Sequence, residues 1–335
     1  MTDRKTICVA GASGLVGSNV VKTALARGHV VRGTLRDADD ASKTGPLMAL
    51  PGAAERLTLH SADASDGGSF DAAMQGADAT VIACFPPIYE AADGTPATEL
   101  DRRRGYREIV QPVRDGVLAV LGSAQRSGVG TVVLCSSTSS TNPPVEMAVK
   151  HEATALSDAE EQMGRGRHTS AEKIVMETAA RDFCVHHDMR LCIMLPTMML
   201  GPVILPHHLD SDSHRLPRGL LRGEKVQHEA TPAGSMSMSH VEDVAALFVA
   251  AVEDPRARGR YFAVYDSAPW AEIYAEFAKH VPESALPTPL EGAPDTPTRF
   301  DFTRRDSLGV TMRDIPTTVA QTMDWLKTDP FGTAA

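Results

Sequence analysis

The sequence is short of the features that mark a nucleic-acid-binding, membrane-spanning or disulfide-stapled chain. Aromatic residues make up 5% of its 335 residues, and no basic run is interleaved with them. Positive charge is in deficit, with 33 Lys and Arg against 43 Asp and Glu, a formal net charge of −10. That balance favours solubility and argues against nucleic acid or an anionic membrane surface as a partner. No apolar run approaches the roughly 20 residues needed to span a bilayer. Asp3-Arg4-Lys5 lead straight into Ile7-Cys8-Val9-Ala10 with no apolar leader, so a cytoplasmic protein is expected. The five cysteines, Cys8, Cys84, Cys135, Cys184 and Cys192, are odd in number, far apart and without a C-x-x-C pair. They read as buried, reduced thiols, and neither a disulfide framework nor a zinc site fits them. Internal repeats are absent as well.

What is present is alternation. Apolar runs at 6–10, 30–35, 57–60, 79–84, 131–135 and 191–195 read as strands, and continuous rather than alternating hydrophobicity marks them as buried on both faces. Helical patterns separate several of them: Leu15 to Ala26, a long helix over 105–127 with Val113, Val117, Leu118, Leu121 and Ala124 on one face, and Ser170 to His187. Strands alternating with helices predict an α/β fold, a Rossmann-like doubly wound parallel sheet. Residues 201–235 are rich in Pro, His, Gly and Ser and read as loop; a helix at 241–253 and a strand at 261–264 follow. Short helices among Pro-rich stretches fill the tail. The expected organisation is a dinucleotide-binding domain of residues 1–196 and 235–265, with a smaller carboxy-terminal substrate lobe of 197–234 and 266–335.

Gly11-Ala12-Ser13-Gly14-Leu15-Val16-Gly17 lies between the first strand and the first helix. There the first glycine permits the tight turn, the second lets backbone approach a pyrophosphate, and the third packs helix against strand. The pyrophosphate would rest on the helix amino terminus, where free N–H groups favour anions. The second strand ends in Arg36-Asp37, with Lys43 seven residues after Arg36. An acidic residue at this strand end suits the ribose hydroxyls of NAD, whereas Arg suits a 2′-phosphate, so Arg36 and Lys43 suggest NADP(H). Asp37 is the competing reading, though it also suits the following turn. Asp63, after the third strand, is placed to accept from the adenine amino group or to serve as a turn residue.

These motifs recur in a known order. The glycine loop, Arg36-Asp37, Asp63, Ser136-Ser137, Lys173 with Glu177, Pro196-Thr197-x-x-x-Gly201-Pro202 and His240 to Ala245 together resemble the extended short-chain dehydrogenase/reductases. Residues 110–137 are similar to the branch of dihydroflavonol 4-reductases, cinnamoyl-CoA reductases and aldehyde reductases. The resemblance implies cofactor contacts at Ala64, Ala83, Cys84, Lys173, Pro196 and Thr197, and a substrate pocket near Phe85, Ser137, Met198 and Met199. It further implies that Ser137 binds the substrate oxygen, with Ser136 or Thr138 as alternatives in the same run, and that Lys173 holds the nicotinamide ribose.

One expected residue is missing. In this family a tyrosine four residues before the lysine protonates the carbonyl oxygen, and here that position is Thr169. An aliphatic hydroxyl is a far weaker acid than a phenol. His168 is next door and of a residue type that can be tuned as an acid, but it points about 100° away from residue 169 on a helix. His168, a tyrosine recruited from the loop bearing Tyr89 and Tyr106, or water ordered by Thr169 are the candidate donors. His207, His208, Asp210, Asp212 and His214 read as polar loop rather than a metal site. The expectation is an NADPH-dependent reductase of a carbonyl or conjugated enone on an aromatic or apolar small molecule, working as monomer or homodimer. The alternative is a degenerate reductase that binds NADPH as a sensor or structural ligand without turnover.

Overall fold

β1 (Thr6–Ala10) alternates its side chains between two apolar layers, and that alternation organises the larger part of the molecule. In the computed structural model, which describes residues 3–145 and 147–332, Ile7 and Val9 enter one buried cluster and Cys8 and Ala10 another. The first is completed by Val20 and Val21 of the Leu15–Ala26 helix and by Leu247 and Phe248 of the Val241–Glu253 helix. The second is completed by Val113, Val117 and Leu121 of the Gln111–Arg126 helix and by Met176 and Ala180 of the His168–His186 helix. Each fully buried Val or Leu contributes about 1.5–3 kcal/mol. A strand apolar on both faces therefore belongs at the centre of a sheet covered on both sides.

β1 is central indeed. Seven strands lie in the order β3-β2-β1-β4-β5-β6-β9, with β2 at Val30–Leu35, β3 at Leu57–Ser61, β4 at Ala79–Ile82, β5 at Thr131–Cys135, β6 at Arg190–Pro196 and β9 at Gly259–Ala263. All their pairings are parallel. This is the doubly wound Rossmann-like sheet, and the strand order reverses between β1 and β4. Ligands bind at such a switch point, outside the carboxyl ends of the strands.

A second sheet, β10-β8-β7, is formed by β7 (Met198–Leu200), β8 (Ser235–His240) and β10 (Asp266–Pro269). Its core joins Leu200, Met238, Trp270, Ile273, Phe277, Val319 and Met323. β8 lies in the 235–265 segment grouped above with the dinucleotide domain, yet it pairs with β7 and β10.

Four sequence expectations need correction. The stretch 201–235 is not simply loop: a short turn of helix at Pro206–Asp210 leads into a helix at Asp212–Leu221, which buries Leu216 and Leu220, four apart, in the second core. Pro217 in that helix and the polar residues around it masked the pattern. Leu118 is only half-buried, Val120 replacing it on the buried face of its helix. The helix carrying Lys173 starts at His168 rather than Ser170. The long helical run before β5 starts at Arg102, capped by the Asp101 carboxylate, and widens into a π turn at Tyr106–Val110. That turn lies just ahead of Pro112, which has no N–H to give the residue four before it.

Candidate active site

The glycine loop leaves β1 at the switch point. Gly11 has φ +87°, a conformation that L side chains rarely adopt, and a Cβ there would lie 2.8 Å from the Ala83 carbonyl oxygen and 2.8 Å from Cys84 Cα. Gly17 holds the helix against the loop so closely that a Cβ would stand 2.0 Å from the Gly11 carbonyl oxygen. The helix begins at Gly14 with no side-chain cap and no acidic residue in its first turn. Its first N–H groups have no intrahelical acceptor, so they are left to an anion from outside. An uncapped helix end facing a glycine cradle fits a dinucleotide pyrophosphate.

At the adenosine side, Arg36 is exposed just after β2 and has no hydrogen-bond or ion-pair partner among the described residues. Lys43 differs: its ammonium is 3.0 Å from the Asp40 carboxylate, one turn away. Asp37 accepts from the Asp39 N–H and so closes the turn after β2. Asp63 likewise spends one carboxylate oxygen on the N–H and hydroxyl of Ser65. Those bonds, with the charge of Arg36 nearby, hold its carboxyl below the usual range.

Beyond β5 the serine run turns into a short helix. Ser137 caps it by accepting from the Ser139 N–H at 3.1 Å, which leaves its own O–H uncommitted. Ser136 donates to Glu177, and Glu177 pairs with Arg260 of β9 at 2.9 Å. Arg260 is 9% exposed and also donates to the carbonyls of Ser140, Glu152 and Ala155. One buried guanidinium therefore ties the strand end, the helix of Lys173 and the loop between them. Glu177 is not the surface partner of Lys173 that its one-turn spacing allows.

The loop after β4 lies across the first turns of the His168–His186 helix. Lys173 is 2% exposed and donates to the Phe85 carbonyl at 2.7 Å, while the Thr169 hydroxyl donates to the Ile88 carbonyl at 3.3 Å. His168 turns the other way. Its Nε2 donates to the Leu100 carbonyl at 3.0 Å, and its ring fills the space a side chain at Gly105 would need. Tyr106 stands apart from the cleft, beside Arg102, Arg103 and Glu160. Tyr89 is the tyrosine that comes near, exposed but close enough to the carboxylates of Asp212 and Glu172 to have its hydroxyl pushed up to about 12, burial being the larger cause.

Sequence reasoning passed over Glu172. It is fully buried, beside Lys173, with Oε1 3.1 Å from Nζ and neither oxygen in a well-formed hydrogen bond. Burial pushes its carboxyl up to about 7, against the opposing pull of the Lys173 ammonium and the Ile88 amide. The available signal was its position, three residues after Thr169 and four before the buried Met176 on one helix face. Arg260 was missed too, and the only sign of it was a charge inside an apolar strand.

The Phe85 ring fills the space that a side chain at Gly116 would need and packs on the second core cluster. Met198 and Met199 are half-buried and lean on different cores. Pro196 ends β6 beside Ala263, and Thr197 joins it to β7. The histidines of 207–214 disperse: His208 Nε2 donates to the Ser13 carbonyl at 3.0 Å, His214 Nε2 to the Gly201 carbonyl at 2.8 Å, and Asp210 pairs with Arg218. No group able to hold a metal ion occurs among the described residues, and no helix there is long and apolar enough to cross a membrane. The His208 contact brings the 203–216 segment over the carboxyl end of β1.

Known proteins resemble this chain in sequence and in fold. A cinnamoyl-CoA reductase of Medicago truncatula is 31% identical over 286 residues, 85% of this chain and 79% of its own. A dihydroflavonol 4-reductase of Dianthus caryophyllus is 29% identical over 287 residues, 85% and 76% of the two chains. Among solved structures, vestitone reductase from alfalfa superposes with a TM-score of 0.76 at 24% identity, covering 97% of this chain and 99% of its own. A yeast methylglyoxal/isovaleraldehyde reductase complexed with NADPH gives 0.78 at 18% identity, over 97% and 99%. The chain is an NAD(P)-dependent oxidoreductase of the extended short-chain type. Residues 7–264 match the model of the NAD dependent epimerase/dehydratase family, and the chain belongs to that family.

Proposed function

We propose that the protein uses NADPH to reduce a carbonyl or conjugated enone on an aromatic or otherwise apolar small molecule. The observation that carries the choice of cofactor is Arg36, an exposed guanidinium with no hydrogen-bond or ion-pair partner among the described residues, at the end of β2, where a 2′-phosphate would sit. When bound, the reduced nicotinamide supplies a hydride to the substrate carbon. The chain does the rest: the uncapped helix end and glycine loop hold the pyrophosphate, Lys173 holds the ribose, and the Ser137 O–H binds the carbonyl oxygen. The larger sheet carries the cofactor, and the lobe of 197–234 and 266–335 covers the substrate, with Met198 and Met199 toward it. Relatives named for the reduction of dihydroflavonols and cinnamoyl-CoA favour an aromatic substrate.

The experiment is NADPH oxidation, followed by nicotinamide absorbance, over a panel of aromatic aldehydes, aryl ketones and enones. Turnover of at least one class is the expected result. Thr169 in the tyrosine position favours a second reading, a reductase that retains its cofactor and has lost its chemistry. Tight NADPH binding with no turnover across the whole panel would establish that reading and end the first.

A further inference from the structure

The site holds a proton source that its missing tyrosine obscures. We propose that Glu172 and Lys173 act as a two-membered proton relay, with Lys173 protonating the substrate oxygen and Glu172 recharging Lys173; this rests on the reductase reading above.

The alternatives on the same helix are committed elsewhere. The Thr169 hydroxyl donates its hydrogen bond to the Ile88 carbonyl, and His168 points into the helical run at Leu100 and Gly105. Glu172 remains. It is fully buried, within 3.1 Å of Lys173 Nζ, and its oxygens lack well-formed hydrogen bonds. An ionised carboxylate so placed is badly solvated, which favours the neutral acid. Lys173 has three donors; the Phe85 carbonyl takes one, Glu172 stands 3.1 Å away without a well-formed bond, and the other two are left for the ribose and a substrate oxygen. The other ionisable groups facing the pair are few. The Tyr89 hydroxyl faces Glu172 from the loop after β4, with Asp212 behind it on the next helix. The Cys135 thiol faces Lys173 from β5, pushed up to about 11 by burial, and stays neutral.

The proton count closes. Hydride addition to the carbonyl carbon breaks the C=O π bond and leaves an alkoxide. The alkoxide takes a proton from Lys173 Nζ, and the resulting amine takes the carboxyl proton of Glu172 across the 3.1 Å contact. The pair ends as ammonium and carboxylate, and the carboxylate regains a proton from water. Net consumption is one hydride and one proton for each alcohol formed.

Glu172 acts through Lys173, so the test reads the pH dependence as well as the rate. The acid must be protonated to donate, so kcat should fall as pH rises through about 7. Glu172→Gln should lower kcat on a carbonyl substrate by ~10²-fold, at the lower end of general-acid effects. It should abolish that limb while leaving the dissociation constant for NADPH unchanged, and Glu172→Asp should recover part of both. Retention of rate and limb in Glu172→Gln overturns the proposal, as does loss of the limb in His168→Ala with Glu172→Gln unaffected. Infrared difference spectra between pH 6 and pH 8 supply a readout without substrate: a protonated carboxyl band should titrate near neutrality and vanish in Glu172→Gln. Its absence from the unmodified protein also overturns the relay. Failure of the whole substrate panel with that band present would instead count against the reductase reading.

Discussion

Replacing Arg36 with Ala isolates the discrimination between the two nicotinamide cofactors. Arg36 is exposed and has no hydrogen-bond or ion-pair partner among the described residues, so its removal strands no buried charge and should leave stability nearly unchanged. Hydrogen bonds to charged groups are worth about 1.5–3 kcal/mol. The preference for NADPH over NADH should therefore narrow by roughly 10- to 150-fold, through weaker NADPH binding at constant NADH binding. Lys43 should matter less, because an anion must share it with Asp40. Freeing it by Asp40→Asn should strengthen NADPH binding by no more than about 1 kcal/mol, the worth of an exposed pair. All these contacts are open to solvent, and at 0.15 M ionic strength the screening length is about 8 Å, so the preference should shrink as salt rises. Dissociation constants for both cofactors, taken from quenching of protein fluorescence at two salt concentrations, decide the matter. Equal affinity for NADPH and NADH in the unmodified protein, or an unchanged ratio in Arg36→Ala, would refute the reasoning.

Other perturbations test the frame around the site. Gly17→Ala places a methyl 2.0 Å from the Gly11 carbonyl oxygen and must push helix from loop, at about 1–3 kcal/mol; thermal unfolding and NADPH titration should both register it. Glu177→Gln leaves the Arg260 guanidinium buried without its counter-charge, and the urea midpoint should fall by an amount equivalent to about 3–5 kcal/mol. His208 and His240 are buried and held down to about 4 by burial, from an ordinary value of 6.5. The unfolded chain thus gains protons that the folded chain refuses. Stability, full above pH 6.5, should decline toward pH 4 by roughly 1–2 kcal/mol per histidine near pH 5. Urea unfolding at pH 7 and pH 5, repeated in His208→Gln, checks both sign and source.

The larger sheet was legible because its strands are buried on both faces and must read as unbroken apolar runs. The glycine loop was legible for a related reason, since a tight turn and two close backbone approaches leave few other residues possible. Glu172 and Arg260 were not. A charge in an apolar segment carries no local sign of whether it will be buried, and both owe their roles to partners supplied by tertiary packing. Glu177 shows the limit from the other side: it lies one turn from Lys173 on the same helix, but its cation comes from a strand far along the chain. The helix at Asp212–Leu221 was hidden because its two core leucines are separated by a proline and flanked by polar residues. Tertiary contact, not local preference, keeps it helical.

The bond from His208 to the Ser13 carbonyl links two segments far apart in the chain. His208 lies in the segment between β7 and β8, whereas Ser13 belongs to the glycine loop proposed to cradle a pyrophosphate. Any shift of that segment pulls on the cradle, and any rearrangement of the cradle moves the roof of the pocket. Occupancy at one place and closure at the other are then two terms of a single equilibrium, and each must alter the other by the same factor. Whatever settles the glycine loop therefore also settles the segment between β7 and β8.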